Sequence, residues 1–156
     1  MTQQSPYEAP GTRVEDAPEQ TVRRFRWAAV VIGAAADLGA STLTGIVLVV
    51  LMSLRSQSGS MQEMMARLNL DWSFLMTSML LGGACTVLGG YVAGRIARHS
   101  FLTHALAAGL LSLIAGLMLF PPDDGPYAGI VALLGYGLHL PLAALGGRIA
   151  ARRNSL

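Results

Sequence analysis

Lysine is absent from this chain of 156 residues, and cysteine is nearly so, with Cys85 alone. One cysteine excludes an intramolecular disulfide and any multi-cysteine metal set, and its apolar neighbours suit a small packing residue. Charge is scarce as well: Asp, Glu, Lys and Arg together make up 13% of the residues, where ordinary globular domains carry about a quarter. The arginines flank apolar runs and do not form a patch interleaved with aromatics, so no nucleic-acid partner is expected. The motifs of common enzymes are missing too. There is no His-Glu-x-x-His, no nucleophile elbow, no phosphate loop and no loop with paired carboxylates. Gly82-Gly83 and Gly89-Gly90 lack the strand-turn-helix setting that a phosphate site needs. These absences point away from catalysis, and no cofactor or metal is expected.

What fills the chain instead is apolar. Hydrophobic residues account for 53%, concentrated in four stretches at about 27–54, 72–97, 101–120 and 127–150. A helix needs about 20 mostly apolar residues to cross a bilayer, and all four stretches reach that length. The expected fold is all-α, a polytopic four-helix transmembrane bundle over residues 23–156. The lipid bilayer is its first partner. Residues 1–22 differ, with Pro6, Pro10, Pro18 and four acids. Such a segment buries too little apolar area to offset the entropy of ordering, and a disordered tail is expected. The first apolar stretch outruns a signal-peptide core, which favours a retained anchor helix.

Arginine counting sets the topology. Arg13, Arg23, Arg24, Arg26, Arg95, Arg98, Arg148, Arg152 and Arg153 fall on one side, and Arg55 and Arg67 on the other. Nine against two places both termini in the cytoplasm by the positive-inside rule. The arginine-only, Ala- and Gly-rich composition suits a high-GC bacterium, hence a bacterial cytoplasmic membrane. Trp27, Trp72, Phe101, Phe120 and Tyr127 stand at the span ends, as interfacial aromatics do. The connection Pro121–Pro126 is a turn-rich outer loop.

Between the first two spans, Met61, Met64, Met65 and Leu68 recur at i, i+3, i+4 and i+7. That spacing predicts a short amphipathic helix over about 60–69 at the interface. The same methionines would offer thioethers to Cu(I), but filling irregular apolar surface explains them as well.

The second and fourth spans echo each other. Leu80-Leu81-Gly82 matches Leu133-Leu134-Gly135, and Gly94-Arg95-Ile96-Ala97 matches Gly147-Arg148-Ile149-Ala150, both at an offset of 53 residues. The chain therefore reads as two hairpins in the same orientation, related about an axis along the membrane normal. Small residues recur at helical spacing: Gly90 and Gly94, then Ala105, Gly109, Ser112 and Gly116, then Ala143 and Gly147. In lipid, helices associate by close backbone contact along such stripes, so these residues are expected to pack the bundle, to mediate self-association or contact with another membrane protein, or both.

The run Gly89-Gly90-Tyr91-Val92-Ala93-Gly94-Arg95-Ile96-Ala97, followed by His104-Ala105 and Gly109, resembles small four-helix bacterial membrane proteins of unknown function. Their second helix ends in Gly-Gly-aromatic-x-Ala-Gly-Arg. The resemblance covers residues 82–112 and implies a bacterial membrane location without an activity.

Polar chemistry inside the spans is sparse. Asp37 lies about ten residues into the first span, so about 15 Å deep, near the bilayer centre. An ionised aspartate there costs about 2.5–3.5 kcal/mol on insertion scales, and it is expected to be paired, protonated or in a wet cavity. Ser41 and Thr44 continue its face. His139, next to Pro141 on the fourth span, lies at matching depth and is the expected partner, with His104 closer to the cytoplasmic mouth. Read structurally, one buried pair orients the helices. Read functionally, Asp37, Ser41, Thr44, His104 and His139 form a polar path for protons or a cation. The leading expectation is a non-enzymatic accessory or structural subunit acting through helix packing. A small transporter or channel subunit is the alternative.

Overall fold

In lipid a backbone amide has no outside partner, so an apolar run must satisfy itself by coiling into a helix. A computed structural model describes residues 25–55, 60–68, 70–120 and 127–153, and they follow that rule: every element is a helix. These are α1 (Trp27–Arg55), α2 (Met61–Leu68), α3 (Trp72–Ala97), α4 (Phe101–Leu119) and α5 (Ala128–Arg152). Four of them, all but α2, are long and apolar enough to span a membrane. The protein is an all-α, multi-pass membrane bundle. Its outward faces carry large apolar side chains in the open, among them Leu54, Leu80, Met118 and Leu133, a surface that suits lipid and not water.

The expected spans hold to within a residue or two, the range over which helix ends fray. α5 runs on to Arg152 and continues through Pro141. The expected tail over residues 1–22 and the outer loop Pro121–Pro126 lie outside the described residues. At its start α3 is capped by Asp71, whose Oδ1 accepts the backbone N–H groups of Ser73 and Phe74 at 2.9 and 3.4 Å. α2 is the short amphipathic helix anticipated: Met64 and Leu68 are buried one turn apart while Gln62, Glu63 and Arg67 are exposed. The side chains of Met61 and Met65 lie outside the described residues, so the thioether cluster has no geometry to report.

α3 and α4 pack on each other and on both α1 and α5, while α1 and α5 form no comparable interface. The cross-section is therefore a diamond with α3 and α4 on its short diagonal. Within the four spans, burial is confined to one half of their length. Buried positions are Ala29, Val30, Gly33, Ala34 and Asp37 in α1, Cys85 through Ala97 in α3, His104 through Ser112 in α4, and Ala143 through Ala150 in α5. All lie in the half that ends in Arg26, Arg95, Arg98 and Arg148.

Glycine makes this half possible. A Cβ on Gly33 would stand 2.6 Å from the Cβ of Ala93 and 2.9 Å from the Gly89 carbonyl. One on Gly94 would stand 2.9 Å from Ala150 Cβ, and ones on Gly109 and Gly147 would stand 2.6 Å from Ala143 and Ala105. Gly90 and Gly146 lie against the facing backbone. These stripes are used up inside a single chain. Gly116 departs from the expectation of packing: nothing lies within 4 Å of where its Cβ would be, because beyond Ser112 the helices diverge around a cavity.

Candidate functional site

Four side chains from four different helices meet where the tight half gives way to the open one. Asp37 comes from α1, Thr86 from α3, Ser112 from α4 and His139 from α5. Each lies on the inward stripe of small residues of its own helix, so the backbones approach closely enough for short polar side chains to touch. The carboxylate of Asp37 and the imidazole of His139 are 3.3 Å apart, Oδ2 to Nε2. This is the pairing expected from their depth.

Two hydroxyls bridge the same pair. Ser112 Oγ lies 2.7 Å from Asp37 Oδ2 and 2.8 Å from His139 Nε2. Thr86 Oγ1 lies 3.3 Å from Asp37 Oδ1 and 3.5 Å from His139 Nδ1. The four groups form a closed ring. With an imidazolium and a carboxylate, Nε2–H donates to Ser112 and Ser112 donates to Oδ2, while Nδ1–H donates to Thr86 and Thr86 donates to Oδ1. Every N–H has an acceptor, and each carboxylate oxygen has a hydroxyl donor. Moving one proton from Nε2 to Ser112 as the Ser112 proton passes to Oδ2 gives a neutral imidazole and a protonated carboxyl in the same geometry. The ring therefore accommodates both charge states without moving a heavy atom. Ser112 is the shorter arm; each hydroxyl also has a carbonyl of its own helix competing for its one proton, Gly109 at 3.1 Å from Ser112 and Gly82 at 3.2 Å from Thr86.

Ser41 joins at the margin, donating to Asp37 Oδ1 at 3.5 Å. Thr44 does not reach the ring; its hydroxyl lies 3.7 Å from Cys85 Sγ. His104 stands apart from it. It is 1% exposed and binds the entry to α1: its Nε2 accepts the Arg26 backbone N–H at 3.1 Å, so Nδ1 is the protonated nitrogen that donates to the Ser100 carbonyl at 3.0 Å. Phe25 stacks on its ring at 4.4 Å between centroids, and Arg26 Nη1 donates to the Ile96 carbonyl at 3.0 Å. The proposed path through Asp37, Ser41, Thr44, His104 and His139 thus divides into a central ring and a separate clasp at the arginine-rich end. Thr86 and Ser112 complete the ring. Ser112 was legible only as a small packing residue, and Thr86 carried no signal beyond a hydroxyl in an apolar span.

The ring is the floor of a cavity of about 1150 Å³ that occupies the open half of the bundle. Its walls are apolar and come from all four spans, among them Ile46, Val49, Met79, Leu113, Leu134 and Leu138. The Asp37 side chain is 5% exposed and that of His139 17%, so the imidazole is the member a molecule in the cavity meets first. On the arginine-rich side of the ring, the contacts of Gly33 with Ala93 and Ala108 leave no comparable space. Among the described residues, no buried side-chain nitrogen or oxygen lacks a hydrogen-bond partner. In comparisons with family models, curated proteins and solved structures, the chain matches none.

Proposed function

We propose that this chain is a small membrane carrier that binds and exchanges a proton at the Asp37–His139 ring, reached from the half of the bundle opposite its arginine-rich end. The observation behind this reading is the position of the ring. The one carboxylate within the spans lies not against lipid but at the inner edge of the sealed half, at the bottom of a cavity that ends on it. Intramembrane ionisable groups in such positions mark proton and substrate pathways. The hydroxyl-bridged geometry, which holds both charge states, supports the same reading.

The excess of arginine at one end supports a cytoplasmic placement of that end and of both termini. In a bacterial cytoplasmic membrane the cavity would then face outward. The reading is non-enzymatic. One observation favours the accessory alternative: the arginine-rich half is so closely packed that Asp37 and His139 would also serve to lock helix register.

Reconstitution into proteoliposomes with a trapped pH-sensitive dye tests the carrier reading. Proton flux driven by an imposed gradient is expected from the full chain and not from Asp37→Asn. Equal flux in the two, or none above protein-free vesicles in either, overturns it and leaves the accessory role.

A further inference from the structure

The cavity is far larger than a proton requires, and its lining is selective in charge. Among the described residues, Asp37 is the only acid lining it, and no arginine does. The hydroxyls of Ser41, Thr86 and Ser112 gather with Asp37 and His139 at the inner end, and the rest is mostly hydrocarbon, with Thr42 and Tyr136 the other polar side chains in the lining. An organic anion could meet the His139 imidazolium, but only with the Asp37 carboxylate 3.3 Å behind it and with no arginine in the lining to hold it. A small inorganic cation would lose its water against walls that offer few oxygen ligands beyond the floor, where such ions need about six or more. A neutral lipid tail would match the walls and leave the polar floor unused. A molecule with an apolar body and one positive charge matches both parts. Burying its body gains about 25 cal/mol per Å² of apolar surface, and its charge meets the aspartate in a medium where such attraction is strong.

We propose that the cavity binds a lipophilic organic cation whose charged centre takes the place of the imidazolium proton beside Asp37. This rests on the ring being a proton-exchanging site. The balance is simple: the cation enters, His139 becomes neutral by releasing one proton to water in the cavity, and the net charge at the floor is unchanged. Asp37 remains the counter-ion throughout. His139, as the more exposed partner, is the group that gives way.

Tetraphenylphosphonium and tetraphenylborate have nearly the same shape and opposite charge, so they isolate the electrostatic part. The full chain in lipid nanodiscs is titrated with each, with proton release followed in weakly buffered solution. Saturable tetraphenylphosphonium binding accompanied by proton release is expected, with tetraphenylborate at least tenfold weaker. Asp37→Asn should weaken phosphonium binding by at least tenfold. Gly116→Leu, which places a side chain in open cavity space one helical turn beyond Ser112 and in contact with no ring member, should weaken binding without abolishing the gradient-driven proton flux. Equal binding of the two ions, phosphonium binding unaltered in both variants, or occupancy of the purified cavity by a phospholipid tail that the phosphonium does not displace overturns the inference. Proton flux that persists without phosphonium binding removes this inference alone. Loss of Asp37-dependent flux removes the carrier reading beneath it.

Discussion

Thr86 and His139 occupy equivalent positions on α3 and α5, 53 residues apart, and their side chains meet, Oγ1 to Nδ1, at 3.5 Å. That spacing is the offset at which the two helices echo each other in sequence. The other two members of the ring are related in the same way: Asp37 and Ser112 lie 75 residues apart and meet at 2.7 Å. The buried residues of α1, from Ala29 to Asp37, match those of α4, from His104 to Ser112, at that same spacing. α1 and α4 are thus counterparts in register, as are α3 and α5, in line with two parallel hairpins, but the packing is not twofold: α3 packs on α4, while α1 and α5 form no corresponding interface. Each matched pair contributes one ionisable group and one hydroxyl.

If Asp37 and His139 act as one unit, their substitutions must not add. His139→Ala leaves a buried carboxylate without its ionic partner, a change of about 3–5 kcal/mol in buried pairs. Asp37→Asn removes the charge that makes that loss serious. The double variant is therefore expected to be more stable than the sum of the two single losses by at least about 1 kcal/mol. Equilibrium unfolding in mixed micelles measures the coupling, and additivity within error would show that the pair is not energetically joined.

The two serines that reach Asp37 should differ. Ser112→Ala removes the short arm that touches both ring partners at 2.7 and 2.8 Å. Ser41→Ala removes only a peripheral contact at 3.5 Å. Interhelical hydrogen bonds in membranes average about 0.6 kcal/mol and reach about 1.7. Ser112→Ala is expected near the upper figure and Ser41→Ala near zero, as read by the same unfolding measurement. In the flux assay Ser112→Ala should slow proton movement by at least severalfold, since the hydroxyl is the only group bonding both Nε2 and Oδ2.

Much of this was legible because lipid restricts what a chain can do. Four apolar runs had to be helices, and depth counting alone brought Asp37 and His139 together. The gaps have physical causes. Ser112 sits at the spacing of Ala105 and Gly109, so its hydroxyl was indistinguishable from a packing residue until the facing helix was in place. Thr44 follows Asp37 at i+7, on the same face but two turns further along, where α1 faces Cys85 and not the ring. His104 lies at a span end, where a bond to a backbone amide is available, and sequence offered no way to know that the chain leading into α1 would fold back to supply one. Gly116 continues a stripe whose partner helix has already turned away, and spacing along one helix cannot report divergence between two.

The clasp at His104 gives a separate expectation. His104→Phe preserves the stack on Phe25 but removes the acceptor for the Arg26 amide and the donor to Ser100. A part-buried amide left without a partner costs about 1–3 kcal/mol. The loss should stay local: the amides of Arg26 to Val30 are expected to exchange with solvent deuterium at least tenfold faster, while those around Asp37 keep their protection. Uniform acceleration along α1 would mean instead that the clasp holds the whole helix in place.

The division into a sealed half and an open half is tested most directly by placing the same methyl group in each. Gly90→Ala puts a Cβ against the backbone of Ala143, where neither helix has a flexible side chain to move aside. Forcing atoms into such a contact costs about 1–3 kcal/mol, and here it would also widen the α3–α5 interface that holds Thr86 against His139. Gly135→Ala, on the cavity wall, meets nothing within 4 Å, and exchanging a helical glycine for alanine gains about 0.5–1 kcal/mol. The two variants should therefore shift stability in opposite directions, although each adds one carbon to a helical glycine facing the bundle interior. A destabilised Gly135→Ala, comparable to Gly90→Ala, would mean that the spans close against each other along their full length. The cavity, and with it the route to the ring, would then be absent from the protein in its membrane.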